Sequence, residues 1–408
     1  ILLMNKKIVL TTRGSRGDVY PIVEITSRLK QRNYKTSICV PAFFKNHAEG
    51  HGLNPSLFSE DSELLMAKLG HGLKAAKTAL KWFAASVEEQ FEFMLKESED
   101  ADLIVTTSTE IVAPTIAEYR KIPYVRIAYT PLLPGKQPPP LFPWQKMPTF
   151  ANRILWEILN SSASVFIKKF VNKKRRLLGL KRIKSGSKYL TDLSHTVFAI
   201  NEDLAPPCES WEGKYVYDYT GYCYGNIYGE LDPELNDFLK SGEKPIYIGF
   251  GSVNIKNAND FTSIVLEAAK KTKSRVILLK GWTKLGFDYP HDTVFVADNV
   301  PHLSLFPHVL GVIHHGGSGT THSTAKSGVP QAIFPQLGDQ YYWGHRTYTM
   351  GLGPEPIAPK KVSVEKLCKI FDSFRYDDKF SRTACELGEK MKHEDGTDKV
   401  IKIIESYL

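Results

Sequence analysis

Three times in this 408-residue chain, a short apolar strand runs into a glycine-bearing corner that opens a helix or a new crossover. The first is "IVLTTRGSRGDVYP" (8–21), followed by an amphipathic run to Leu29. The second is "IYIGFGS" (246–252). The third is "VIHHGGSGTT" (312–321). Corners of this kind belong to parallel sheets, where each strand must return through a crossover before the next one can pair. Apolar stretches at 34–40, 102–106, 124–128 and 196–200 continue the first series. Those at 275–279, 293–296, 310–313 and 332–334 continue the second. The expected fold is therefore α/β, with two Rossmann-like doubly wound domains facing across a cleft and ligands at the carboxyl ends of the strands.

Length agrees, since 408 residues exceed what one core supports. The expected division is 4–205 as an N-terminal domain, and 206–230, rich in Pro, Gly and Tyr, as linker. Residues 231–385 then form a second domain, and 386–408 a C-terminal helix. Helices are predicted at 22–29 with Pro21 in the first turn, at 62–97, at 152–178 and over 363–408. The proline-rich stretch 131–148 is too long to be a mere connection.

Five scattered cysteines without a CxxC pair argue against a disulfide framework or a zinc site, and for a reducing, cytoplasmic compartment. The opening Ile-Leu-Leu-Met is too short for a signal peptide, and Met4 is the expected native start. The net charge of +9 is local. Residues 168–188 carry ten of the 53 Lys and Arg and no acid, which leaves the rest nearly balanced against 44 Asp and Glu. Such a segment suits either peripheral contact with the inner face of an anionic membrane or a plain solvated helix face. No nucleic-acid motif accompanies it.

The third corner has the parts of an anion site. A helix N-terminus offers free N–H groups and positive dipole character, and glycines let a phosphate come close. Thr320 and Thr321 add hydroxyls, an imidazole adds another donor, and Ser252 sits in a second loop of this kind. A metal site is disfavoured: His314 and His315 are adjacent on a strand and point to opposite faces. Asp18, at the first corner, reads from its position alone as a helix-capping carboxylate or as a base.

"HHGGSGTTHSTAKSGVPQAIFPQLGDQYYWGHR" (314–346) resembles the nucleotide-sugar signature of GT-B glycosyltransferases of family 1, and most of all the sterol glucosyltransferase and antibiotic glycosyltransferase branch. "GSRGDVYP", "YIGFGSV", "DNVPH" and "YTGY" follow in the usual order and extend the likeness over most of the chain. The resemblance implies an inverting transfer of a sugar, glucose first, from a UDP-sugar to a hydroxyl of a hydrophobic acceptor such as a sterol or triterpenoid. No cofactor or metal is implied, because the UDP-sugar is a co-substrate.

By position, Asp18 resembles the family's catalytic base and His315 its diphosphate-contacting histidine. Gly317, Ser318, Gly319, Thr320 and Thr321 form the cradle, with Gly17 and Ser252 completing the donor set. Val300 falls where backbone groups meet the base, and the Asp339–Gln340 pair where sugar hydroxyls are held. Ser323 stands where plant relatives carry a ribose-binding Glu, so ribose contacts are unassigned. The acceptor pocket is expected from Trp82, Phe83, Phe142 and Trp144, although aromatics at helical spacing equally suit a core. A polyketide, phenolic or lipid acceptor with a TDP-sugar remains an alternative. A sugar-nucleotide epimerase on the same fold is the rival enzyme class, and Asp18 with the apolar N-terminal half favours transfer. A non-catalytic lipid- or nucleotide-binding protein is a third reading.

Overall fold

The structure is a computed structural model that describes residues 6–59, 73–192, 195–225, 229–250, 258–281 and 292–408; the side chains of 73–80, 82, 83 and 258 lie outside the description. Its first half runs β1 (Lys7–Thr11), α1 (Arg16–Gln31), β2 (Lys35–Pro41), α2 (Lys45–Gly50), β3 (Ser56–Phe58), α3 (Leu73–Glu97), β4 (Leu103–Thr107), α4 (Ala113–Arg120), β5 (Tyr124–Ala128), α5 (Thr149–Leu177), α6 (Gly186–Asp192), β6 (His195–Phe198) and β7 (Tyr217–Tyr219). The second half runs α7 (Pro233–Lys240), β8 (Ile246–Gly249), α8 (Ala258–Thr272), β9 (Val276–Leu279), β10 (Val294–Ala297), α9 (His302–Leu305), β11 (Gly311–His314), α10 (Ser318–Lys326), β12 (Gln331–Ile333), α11 (Gln340–Thr349), α12 (Val364–Tyr376), α13 (Asp378–Met391) and α14 (Gly396–Glu405).

The strands form two sheets, ordered β3-β2-β1-β4-β5-β6-β7 and β10-β9-β8-β11-β12, and every pairing is parallel. Strand order reverses between β1 and β4 in one sheet and between β8 and β11 in the other. Doubly wound sheets bind ligands at such reversals. The glycine corners after β1 and β11 sit at these reversals, and β8, which the second corner follows in sequence, borders the second one.

Parallel strands covered on both faces read as unbroken apolar runs. Ile8 and Leu10 pack toward α1 and α14, in one cluster with Ile22, Val23, Val400, Ile401 and Ile404. Val9 and Ile104 pack the other way, with Val87, Phe91 and Met94 of α3. The chain's last helix is thus part of the first domain's core. Arg28–Asp395 at 2.8 Å and Arg32–Glu405 at 3.0 Å tie it to α1.

Two expectations need correction. The segment 206–230 is not all linker: Tyr217–Tyr219 pairs with β6 as the edge of the first sheet. Its alternating Tyr-Asp-Tyr is the pattern of a half-exposed edge strand, easily taken for a polar connection. Likewise α1 begins at Arg16, so Pro21 lies in its second turn rather than its first. Capping at Ser15 and Asp18, described next, sets that start. Proline at position 21 removes only the bond to the Gly17 carbonyl at the helix's frayed first turn.

Candidate active site

The corner after β1 is built around Asp18. Ser15 precedes the helix as its N-cap. The Ser15 N–H donates to Asp18 Oδ2 at 2.9 Å and the Ser15 hydroxyl to the same oxygen at 3.3 Å. Asp18 is thus the third helical residue of a capping box, reaching back to the cap. Both bonds fall on Oδ2, and no hydrogen bond to Oδ1 is made among the described residues. Gly14 makes this possible. It has φ +115°, and a side chain there would collide with the Asp18 carboxylate. Burial pushes the Asp18 carboxyl up to about 6, helped by the nearby Asp339 carboxylate and opposed by the bonds from Ser15. Gly17 is exposed in the same turn.

Asp339 approaches from the second domain. It caps α11, and its Oδ2 accepts from Thr130 Oγ1 at 2.8 Å and from Trp343 Nε1 at 3.1 Å. Thr130 follows β5, so this bond joins the two domains over the cleft. Burial raises the Asp339 carboxyl as well, against those two donors. Gln340 is buried, and its Oε1 accepts from the Gln336 and Leu337 N–H groups at 2.8 and 3.2 Å. It braces the loop, whereas Asp339 is the member of the pair that faces the first domain.

The corner after β11 separates three histidines by role. His314 is fully buried. It accepts from the Gly316 N–H at 3.1 Å through Nδ1 and bonds Gln331 Oε1 at 2.8 Å through Nε2. His322 is buried between a stacked Tyr222 ring at 4.8 Å and the Trp343 edge at 5.0 Å. It accepts from the Asn201 N–H at 3.0 Å and bonds the Ser318 carbonyl at 2.7 Å. Both rings are structural. His315 differs: it is half-buried, its Nδ1 has no partner, and its Nε2 lies over Gly317. Burial lowers it to about 4, so it is a neutral imidazole. Gly316, at φ +92°, lets the turn run against the Gln340 backbone, where a side chain would meet Ile333 at 2.6 Å.

Helix α10 starts at Ser318 with Gly317 as its cap. The free N–H groups of its first turn are those of Ser318, Gly319 and Thr320. Thr321 corrects the expected cradle. It is fully buried, and its N–H and hydroxyl both donate to the Gly317 carbonyl at 3.0 Å. A threonine facing the helix interior back-bonds to the preceding turn. Ser318 is also turned inward, with its Oγ 3.4 Å from His322 Nδ1, while Thr320 is half-exposed. Val300 is buried in the core in one cluster with Tyr247. Ser252 lies outside the described residues, as do the side chains of Trp82 and Phe83.

Phe142 and Trp144 stack at 5.9 Å in the long loop, with Trp144 55% exposed. That loop is held by Trp156 Nε1 to the Gln137 carbonyl at 2.8 Å and by Trp211 Nε1 to that of Pro134 at 3.1 Å. It is pinned to the second domain by Lys146–Glu355 at 2.6 Å. Sequence reasoning gave no site role to Thr130, Tyr222 or His322, although "YTGY" holds Tyr222 and the 314–346 stretch holds His322. Tyr222 packs against Gly319, where a side chain would meet its hydroxyl at 2.8 Å, and it feels both Asp18 and Asp339.

A family model described as erythromycin biosynthesis protein CIII-like, C-terminal domain, matches residues 266–406. Two sterol 3-beta-glucosyltransferases of Arabidopsis thaliana are 31% and 29% identical over 98% of this chain, covering 66% and 68% of their own lengths. A sterol 3-beta-glucosyltransferase of Komagataella phaffii is 28% identical over 98% of the chain and 34% of its own. The chain therefore spans about two thirds of the plant relatives and about a third of the yeast one. Among solved structures, the glycotransferase of kitacinnamycin superposes with TM-score 0.77 at 15% identity over 99% of both chains. The calicheamicin glycosyltransferase CalG4 superposes with TM-score 0.76 at 15% identity, over 99% of this chain and 98% of its own.

Proposed function

The chain belongs to the GT-B glycosyltransferases of family 1, in the sterol and antibiotic glycosyltransferase branch, and from that premise we propose that it transfers glucose from UDP-glucose to the hydroxyl of a sterol-like acceptor with inversion. The observation that carries this is Asp18. It is a carboxylate raised to about 6 with one oxygen spent on its helix cap and the other uncommitted. A base poised near neutrality, in the cleft opposite a diphosphate cradle, is what acceptor activation requires.

In the proposed step the acceptor oxygen attacks the anomeric carbon, and its proton passes to Asp18 Oδ1. The bond from that carbon to the β-phosphate oxygen breaks, and its electron pair leaves with UDP. His315 and the N–H groups of Ser318, Gly319 and Thr320 meet the charge that develops on the departing diphosphate. Asp339 accepts hydrogen bonds from hydroxyls of the sugar in place of the one from Thr130. No step needs a metal. Phe142 and Trp144 line the acceptor's approach.

The same reading places the enzyme in the cytoplasm, in keeping with five free cysteines, and at an anionic membrane surface. In support, α5 leaves Phe150, Ile154, Ile158 and Val165 exposed, next to the basic run. Part of that run is structural: Lys174 is buried against Glu88, and Arg175 is paired with Glu118 at 2.7 Å. The remaining cations are what would meet lipid.

The test is UDP release from UDP-glucose with a panel of sterols, triterpenes and phenols, for wild type beside Asp18→Asn. Acceptor-dependent release, abolished in the variant while UDP still binds, is the expected result. Release unaffected by Asp18→Asn, or no stimulation by any acceptor, would overturn it.

A further inference from the structure

Beneath α3 the first sheet changes character toward its carboxyl end. Val9 and Ile104 are apolar partners on that face. The next residues on the same face are Thr11 and Thr106, in register with each other, and Arg126 stands beside Thr106. Arg13 follows β1, Glu110 follows β4, and Gln90 belongs to α3. Thr11, Gln90 and Glu110 are fully buried, and Arg13 and Arg126 nearly so. Arg13 donates to Glu89 at 2.8 Å and lies close enough to Glu110 to lower its carboxyl.

This layer is not satisfied from within. Among the described residues, Thr11 Oγ1, Arg13 Nε, Gln90 Oε1 and both carboxyl oxygens of Glu110 have no hydrogen-bond partner, while Arg126 reaches to the Leu190 carbonyl at 3.4 Å. Folded proteins leave few such atoms, and a cluster of them marks a place that something polar fills. Its position is specific. Arg13 and Glu110 leave the two strands between which the sheet order reverses, the crevice where such sheets take ligands.

Asp18 lies across the strand from the layer. Thr12, whose hydroxyl donates to the Asp18 carbonyl at 3.2 Å, points opposite to Thr11 by the alternation of a strand. A molecule that touches both Asp18 and the layer must therefore straddle the end of β1, and must be polar at two separated points.

Building on the glycosyl-transfer reading, we infer that the buried layer of Arg13, Gln90 and Glu110 is an acceptor subsite that holds a second hydroxyl, remote from the one glycosylated. The unmet atoms call for a group that both donates and accepts, as a hydroxyl does. The Arg13 Nε–H seeks an acceptor and Gln90 Oε1 seeks a donor. Glu110, pushed up to about 8 by burial, is a neutral acid able to do either. A carboxylate would satisfy the arginine but confront Gln90 Oε1. An apolar end would leave every atom unmet.

The test is equilibrium binding of two probes to the intact protein: a 3-hydroxysterol, and the same sterol with an additional hydroxyl on its side chain. Wild type is expected to bind the dihydroxy probe at least about tenfold more tightly. Glu110→Leu and, as a second variant, Gln90→Leu should each erase that preference while the monohydroxy probe binds as before. Equal binding of both probes to wild type, or a preference that survives both substitutions, overturns the subsite and leaves the transfer reading intact. Failure of both probes to bind a protein that still binds UDP-glucose overturns the sterol acceptor itself, and the subsite with it.

Discussion

Thr130 Oγ1 lies 2.8 Å from Asp339 Oδ2, a hydrogen bond between the end of β5 in one domain and the start of α11 in the other. It occupies the carboxylate proposed for sugar hydroxyls, so the two domains are joined through the group that donor must engage. Thr130→Val removes one donor and leaves Trp343 on the same oxygen. The joined arrangement should weaken by about 1 kcal/mol, the usual worth of such a bond. Small-angle scattering without ligand should then give a larger radius for the variant than for wild type. Saturating UDP-glucose should bring the two together. Equal radii without ligand would show that Thr130 does not latch the domains.

Asp18 predicts a pH profile of known sign. The base works as a carboxylate, and its value of about 6 makes kcat/KM fall close to tenfold per pH unit below 6 and level off above it. Asp18→Asn should lower kcat by 10²–10⁴, the usual contribution of a general base. Stability follows the same group. Because the folded value exceeds the ordinary 3.8, the folded state keeps a proton that the unfolded chain releases. Ionisation therefore weighs against folding progressively from about pH 4 to 6, and fully above 6. Asp18→Asn should be more stable than wild type at pH 8, by about 1 kcal/mol once partial exposure is discounted, and no more stable at pH 4. Thermal melts at both values check it.

His315 should bind donor without titrating. Lowered to about 4 by burial, it stays neutral through the physiological range and acts as an N–H donor rather than a cation. In an Asp18→Asn background, where the neighbouring carboxyl no longer titrates, the dissociation constant of UDP-glucose, whose diphosphate is fully ionised, should be flat from pH 5.5 to 8.5. His315→Ala should raise it about tenfold or more, as loss of a bond to a charged group does. A constant that rises through pH 6.5 in that background would mean that the imidazolium is the binding form.

The alternation of apolar strand, glycine corner and helix was enough to place Asp18 and His315 at one cleft, because parallel sheets put such corners at the carboxyl ends of strands; Asp339 came from the family resemblance alone. Composition could not show which hydroxyls face the ligand. Thr320 and Thr321 are alike in sequence, and only the helical turn decides that Thr321 bonds inward to Gly317. His322 was lost for a similar reason. Its partners, Tyr222 and Asn201, are 100 residues or more away, one within the linker segment and the other before it. Thr130 follows an ordinary buried strand, and nothing local marks it as the residue that meets Asp339. The basic run was visible, but not the burial of Lys174 and Arg175 within it.

The exposed face of α5 gives the last prediction. Phe150, Ile154 and Ile158 are spaced by four residues and more than half exposed, so they share one side of the helix. Lys168, Lys169 and Lys173 lie further along it and are not among the buried members of the basic run. A surface that inserts apolar side chains beside cations should bind vesicles of phosphatidylcholine containing phosphatidylserine, and bind pure phosphatidylcholine poorly. Lys168→Glu with Lys169→Glu should weaken binding to the anionic vesicles by more than tenfold, at about 1 kcal/mol per lysine removed before counting the reversal. Phe150→Ser with Ile154→Ser should weaken it too, and should leave the remaining binding more sensitive to salt, since screening acts on charge and not on insertion. Turnover of a water-soluble phenol should be unchanged in both variants. If vesicle binding survives both pairs of substitutions, α5 is an ordinary solvated helix and the acceptor reaches the cleft from solution.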